Sequence, residues 1–321
     1  MFRRTFCAFM ALALSAGAAQ AVYPDKPVRL VVPFSPGGAT DLVARALGAR
    51  LSQMWKQQVV IDNRAGAGGN LGADIVAKSP ADGYTLLMSS PAELTINPFV
   101  FRSVPFDAVR DFTPVTKVAS APLVLVVNAG KTPARTVQEL VQALKASGGT
   151  MNFASSGTGG PQHLAGELFK TMAGVNMTHI PYKGGAPATV DLLGGQVDLF
   201  FSGVPPALPH IAAGKLRALA VTTEKRSELL PGVPSIAESG YPGFNIENWQ
   251  GLFAPSGTPK EIVEQIARDV ALIAADKSFA ELLTAQGAVP QTMTPAAFAA
   301  FVQGERNKFS RLVKESGAKV D

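Results

Sequence analysis

The groups in this sequence best placed to do chemistry are backbone amides, gathered in four glycine-rich turns. The turns are Phe34-Ser35-Pro36-Gly37-Gly38-Ala39-Thr40-Asp41, Asn63-Arg64-Ala65-Gly66-Ala67-Gly68-Gly69-Asn70, Ser155-Ser156-Gly157-Thr158-Gly159-Gly160 and Tyr182-Lys183-Gly184-Gly185-Ala186. Each follows a short apolar run and precedes a helix-like stretch. Glycine lets the backbone approach a ligand closely, and the first N–H groups of the following helix have no partner within that helix. Unpaired donors and the positive end of the helix dipole then face the same point, which suits an anion. A βα turn often needs glycine for tightness alone, so one such turn would decide nothing. Four of them point to a receptor for a small anion, with a carboxylate as the best fit.

Few side chains could assist these amides. Asp41 falls in the first helical turn after its glycines, where the dipole favours a carboxylate; as a contact it would suit a ligand ammonium group. Lys183 is the one basic side chain inside a glycine turn, and it can reach either the ligand or solvent. Phe34 can stack on a ligand or plug a core. His163, just inside a helix, reads as a local hydrogen-bonding residue, and Asp198 as a strand-edge residue. Equipment for catalysis is missing: no G-x-S-x-G elbow surrounds a serine, and the single cysteine is Cys7. His163, His179 and His210 lack metal-like spacing. In the run from Gly66, Leu71 stands where a dinucleotide fingerprint needs its third glycine. No enzyme activity, metal or cofactor is expected.

Composition places these turns in an exported protein. Arg3 and Arg4 precede an apolar stretch from Phe6 to Leu14, and Ala19-Gln20-Ala21 fits the A-x-A cleavage pattern. That stretch is shorter than the ~20 residues that span a bilayer. Residues 1–21 therefore read as a signal peptide cleaved near Ala21, and the remaining chain as a periplasmic protein without cysteine or disulfide. Losing Arg3 and Arg4 reduces the 29 basic residues to 27, against 24 acidic ones. No run of Lys or Arg offers a nucleic-acid surface.

The elements that must position the turns alternate. Strands are expected at Val28 to Val32, Val59 to Asp62, Tyr84 to Met88, Leu123 to Val127, Met151 to Ala154, Thr178 to Tyr182, Val197 to Phe201 and Leu216 to Val221. Between them lie helical patterns such as Val43, Ala46, Leu47 and Leu51. Continuous apolar strands separated by amphipathic helices indicate an α/β protein with mainly parallel sheets flanked by helices. Helix starts are marked by Thr136 with Glu139, by Thr258-Pro259 with Glu261, and by Thr294-Pro295. About 300 residues after the leader exceed one ordinary core, so two domains are expected. Pro105 to Pro122 reads as a long connection and Leu230 to Asn248 as a second one. A chain so divided leaves its first domain, builds another and returns. Ligands of open α/β sheets bind beyond the carboxyl ends of strands, where all four turns fall.

An ordered set of motifs adds a resemblance over nearly the whole chain. It comprises Tyr23-Pro24-Asp25-Lys26-Pro27, Pro36-Gly37-Gly38 with Asp41, Asn63-Arg64 with Gly66, Gly68 and Gly69, and Ala81-Asp82-Gly83-Tyr84-Thr85-Leu86. Further on come Ser155-Ser156-Gly157-Thr158-Gly159, His163-Leu164, Pro181-Tyr182-Lys183-Gly184, Gly195-Gln196-Val197-Asp198 and Trp249-Gln250-Gly251. In these the chain resembles the Bug family, the extracytoplasmic solute receptors of tripartite tricarboxylate transporters. The resemblance implies a two-lobed type II periplasmic-binding-protein fold that closes on its ligand like a flytrap. Lobe 1 would comprise 22–122 and 251–321, and lobe 2 would comprise 123–250, with the hinge near Pro122 and Gln250 and Gly251 absorbing its rotation. It also implies a ligand carboxylate held by Phe34, Ser35, Gly37, Gly38, Ala39, Thr40 and Asp41 on one side. Ser155, Ser156, Gly157, Thr158 and Gly159 would hold it on the other. Gly68, Gly69, Asn70, Ser89, His163, Tyr182, Lys183, Gly184, Gly185, Ser202 and Gly203 would complete the lining. The implied ligands are di- and tricarboxylates, acidic amino acids or aromatic acids. The implied partners are the permease subunits of a tripartite tricarboxylate transporter or, alternatively, a membrane sensor kinase, with the receptor a monomer.

Overall fold

The computed structural model describes residues 23–182 and 185–317. The leader, and Lys183 and Gly184 of the fourth glycine turn, lie outside the described residues. The chain opens with β1 (Val28–Val32), α1 (Ala39–Trp55), β2 (Val59–Asn63), α2 (Asn70–Ala77) and β3 (Thr85–Ser89). β1 pairs in parallel with both β2 and β3, as strands joined by helical crossovers must. Its Val28, Leu30, Val31 and Val32 are buried, the mark of a strand covered on both faces. In α1, Val43, Leu47 and Leu51 recur at helical spacing and are buried in one cluster with β1.

A short α3 (Asn97–Val100) and β4 (Phe112–Ser120) complete the outward path. The chain then builds β5 (Leu123–Asn128), α4 (Val137–Ala146), β6 (Asn152–Ser155), α5 (Pro161–Ala173), β7 (Thr178–Pro181), α6 (Gly185–Gly194), β8 (Leu199–Gly203), α7 (Val204–Ala212) and β9 (Leu216–Val221). It returns through β10 (Gln250–Pro255), α8 (Lys260–Ala274), α9 (Lys277–Ala285), β11 (Val289–Pro290) and α10 (Pro295–Ser316). The strands form two sheets, ordered β11-β4-β10-β3-β1-β2 and β7-β6-β8-β5-β9. Each is parallel in one half, at β2-β1-β3 and at β7-β6-β8, and antiparallel elsewhere. The antiparallel pairings arise where the chain passes between the sheets. β10 comes back from the second sheet and enters the first between β3 and β4, running against both.

The two passages lie side by side. Pro122 and Glu247 form an antiparallel bridge, and Asn248 N donates to Ala121 O at 3.0 Å. Beneath them Lys117, 1% exposed, sets its Nζ 2.8 Å from Glu247 Oε2, and Ser120 Oγ donates to the same oxygen. α10 spans both sheets. Its Phe298 and Val302 pack with Trp249, Phe253 and Val31, whereas its Phe309, Leu312 and Val313 join Leu125, Phe169 and Phe201 in the second core.

Several local expectations change. Half of the connection expected over Pro105 to Pro122 is β4, a nine-residue strand. Its Pro114, Thr113, Thr116 and Lys117 disguise it, and its pairing with β10 and β11 supplies what its composition does not. Thr136 and Thr294 do cap α4 and α10 through their hydroxyls. Thr258 does not cap α8: its hydroxyl donates to Pro255 O, and Pro259 stands at the cap. Gly251 is not free to rotate either. It pairs with Ser89 and Lys117 on its two sides, and a β-carbon there would lie 2.3 Å from the Phe298 ring.

Candidate functional site

Between the two sheets lies a cleft of about 880 Å³. From the first sheet's side it is lined by Phe34, Gly37, Gly38, Ala39 and Thr40, with Gly68, Ser90, Ala92, Asn97 and Phe101. The opposite wall carries Ser156, Gly157, Thr158, Gly159, Gly160 and Gln162, with Gly185, Ser202, Gly203, Pro205 and Pro206. Ala121, Pro122 and Asn248 form its floor at the passages. All four glycine turns thus contribute to one space. No described residue of this lining is ionisable.

The helices aimed at the cleft are started differently from several that point elsewhere. α1, α5 and α7 begin at Gly38, Gly160 and Gly203, none of which can offer a side-chain cap. By contrast α4, α9 and α10 are capped by Thr136, Asp276 and Thr294, whose side chains accept a backbone N–H. Glycine at these three starts leaves first-turn amides available to an anion. Two of them face the cleft from the second sheet and one from the first.

Side chains behind the lining hold the turns in shape. Asp41 is 1% exposed. Its Oδ2 accepts from Gly37 N and Arg45 Nε, both at 2.8 Å, and its Oδ1 accepts from Asn63 Nδ2 at 2.9 Å. Burial alone would raise its pKa, but the bonds from Arg45, Gly37 and Asn63 outweigh it and hold the carboxyl below its usual range. Asp41 therefore braces the first turn from behind and does not line the cleft. On the second wall Gly157 N donates to Ser155 Oγ at 3.2 Å, and Ser155 Oγ donates to Gly157 O at 2.9 Å. His179 Nε2 lies 2.6 Å from the same hydroxyl, and Gly159 N donates to His163 Nδ1 at 3.1 Å. The two imidazoles stack at 3.8 Å. Burial pushes His163 down to about 3 and His179 to about 4, so both stay neutral near pH 7. A neutral His163 is what the bond from Gly159 needs, because only an unprotonated Nδ1 accepts.

The other expected contacts divide by the same logic. Gly68 lines the cleft, but Gly69 leaves room for Glu93: a β-carbon on Gly69 would lie 2.6 Å from Glu93 Oε1. Asn70 Oδ1 accepts from Asn97 Nδ2 at 2.7 Å, and the Tyr182 hydroxyl donates to Asp191 at 2.7 Å. Ser89 is fully buried and its hydroxyl donates to Glu93 Oε2 at 2.9 Å; Ser90 is the serine that lines the cleft. Ser35 is exposed beside the lining, and Asp198 Oδ2 accepts from Asn152 N at a strand edge. Phe34 faces the cleft. The residues that went unanticipated include Ser90, Asn97, Phe101, Gln162, Asn248 and the run from Ala285 to Ala288. Ser90 follows the carboxyl end of β3 and was findable by the strand-end rule. The run after α9 carries no such signal.

Comparison with known proteins places this geometry among relatives. Residues 43–318 match the model of the tripartite tricarboxylate transporter family receptor. The chain is 42% identical over 299 residues to protein BugT of Bordetella pertussis, covering 93% of this chain and 91% of that one. Among solved structures, R. palustris Rpa4515 with adipate is 40% identical with a TM-score of 0.83, covering 93% of this chain and all of that one. MatC from Rhodopseudomonas palustris with bound malate is 31% identical with a TM-score of 0.78, covering 91% of this chain and all of that one.

Proposed function

Because the chain belongs to the tripartite tricarboxylate transporter receptor family, we propose that it captures a small carboxylate between its two lobes and hands it to membrane permease subunits. The observation that carries this reading is the set of three helix starts, at Gly38, Gly160 and Gly203, opening without side-chain caps on a cleft whose described lining holds no ionisable residue. An anion there is stabilised by backbone donors and helix dipoles. Phe34, Phe101, Pro205 and Pro206 would cover its carbon skeleton. The lobes comprise 22–122 with 251–321, and 123–250, and they close about the paired passages at Pro122 and Glu247. The receptor works as a monomer in the periplasm after its leader is removed near Ala21.

The adipate and malate in the names of two related structures guide the test. Purified protein is screened by thermal shift and calorimetry against adipate, malate, glutamate, citrate and benzoate. An acid at 100 times its dissociation constant should add about 2.7 kcal/mol of stability. Replacing its carboxylate by an amide should weaken binding roughly ten- to hundredfold, because charge-assisted bonds contribute about 1.5–3 kcal/mol each against about 1 for neutral ones. An amide that binds as tightly as the acid refutes the reading.

A further inference from the structure

One carboxyl behind the cleft is held in a way the site description leaves unused. Glu93, in the single helical turn that follows Ser90, is fully buried. Its Oε2 accepts from Ser89 Oγ and Ser90 N, both at 2.9 Å, and from Ser90 Oγ at 3.1 Å. Its Oε1 has no hydrogen-bond partner among the described residues and lies against Gly69, whose missing side chain makes the space. Ser90, which gives two bonds to Oε2, itself lines the cleft. The acid thus stands one residue behind the wall that would meet a ligand anion.

Among the described residues no cation pairs with it. The elements packed on this turn from the first lobe are β3, α3 and Ala67–Gly69, and none contains a charged residue. α10 also packs on it and carries Glu305, Arg306, Lys308, Lys314 and the Arg311–Glu315 pair. Arg306 gives its Nη1 to Leu94 O and lies over the Phe99 ring, while Glu305 and Lys308 pair with each other. Burial raises the Glu93 pKa to about 7, against the hydrogen bonds from its own backbone, Ser90 and Ser89 that favour ionisation.

Resting on the carboxylate reading of the cleft, we propose that Glu93 links capture to a proton: the site takes its anion with Glu93 neutral and is weakened when Glu93 ionises. The sign follows from like charges. A bound carboxylate disfavours a second negative charge close behind Ser90, so binding raises the pKa of Glu93 further and draws in a proton. Affinity is then full below the pKa of the free protein and falls above it. One linked proton limits the fall to about tenfold per pH unit.

The test uses the tightest of adipate, malate, glutamate, citrate and benzoate, measured by calorimetry at pH 6.5, 7.5 and 8.5. The parent protein should lose affinity across this interval. At pH 7.5 its binding heat should change with the buffer's ionisation enthalpy, reporting uptake of a fraction of a proton. Glu93→Gln should bind equally at all three pH values with no buffer dependence. Equal parent affinity throughout, proton release in place of uptake, or an unchanged pH dependence in Glu93→Gln overturns the inference and leaves the carboxylate reading standing. Where the variant does not fold, the direction of proton exchange in the parent decides. If none of the five acids binds at any pH, the carboxylate reading falls and this inference with it.

Discussion

Replacing Gly38 by valine separates the ligand role of the first glycine turn from its role as scaffold. Gly38 has φ −80° and ψ 167°, extended backbone that any residue adopts, so its glycine is not required by the turn. A β-carbon built there meets nothing nearer on the chain than Ser35 O at 3.9 Å. The added β-carbon therefore displaces no protein atom at this cleft-lining position, and the two methyls beyond it should cover the first amides of α1. Two charge-assisted bonds lost at about 1.5–3 kcal/mol each give about 3–6 kcal/mol, a weakening of roughly 10²- to 10⁴-fold. The folded state should barely notice: an unsuitable residue at a helix N-cap costs about 1 kcal/mol, or roughly 2–4 °C in a chain of this order of size. Calorimetry with the best acid and a melting scan without it measure the two effects separately. An unchanged dissociation constant would place the anion elsewhere. Lost binding accompanied by a fall of well over ~10 °C would show that Gly38 serves the fold.

Other substitutions probe closure and support. Gly287, at φ +73°, meets Pro205 across the cleft, and a β-carbon there would lie 2.0 Å from the proline ring. Gly287→Ala should strain the backbone by about 1–2 kcal/mol and prop the lobes apart, with more than tenfold weaker binding and a larger radius of gyration at saturating acid; parent-like values for both would show that this contact is dispensable. His163→Ala removes the acceptor for Gly159 N and should weaken binding by about 1 kcal/mol, or roughly fivefold, through a looser second turn. Unaltered affinity in that variant would mean that Ser155 and His179 suffice to hold the turn.

Much of this molecule was legible without its tertiary structure. Apolar strands alternating with amphipathic helices gave the α/β class, because burial on both faces of a parallel strand leaves a continuous apolar run. That the glycine turns open helices with unpaired first amides was legible because this follows from local geometry alone. The caps at Thr136 and Thr294 were equally local. Packing between distant segments decided the rest. Adjacent Ser89 and Ser90 are alike in sequence and both bond Glu93, yet only Ser90, just past the end of β3, also lines the cleft. Gly68 and Gly69 are also neighbours, and only the arrival of Glu93 from 24 residues onward makes the second a packing glycine. β4 exists because β10 and β11 return to pair with it, whatever its prolines and polar residues suggest. The run from Ala285 to Ala288 joins the cleft because α9 ends opposite Pro205. A sequence records what each residue can do with its near neighbours, whereas a site between two lobes is made by residues that meet only after folding.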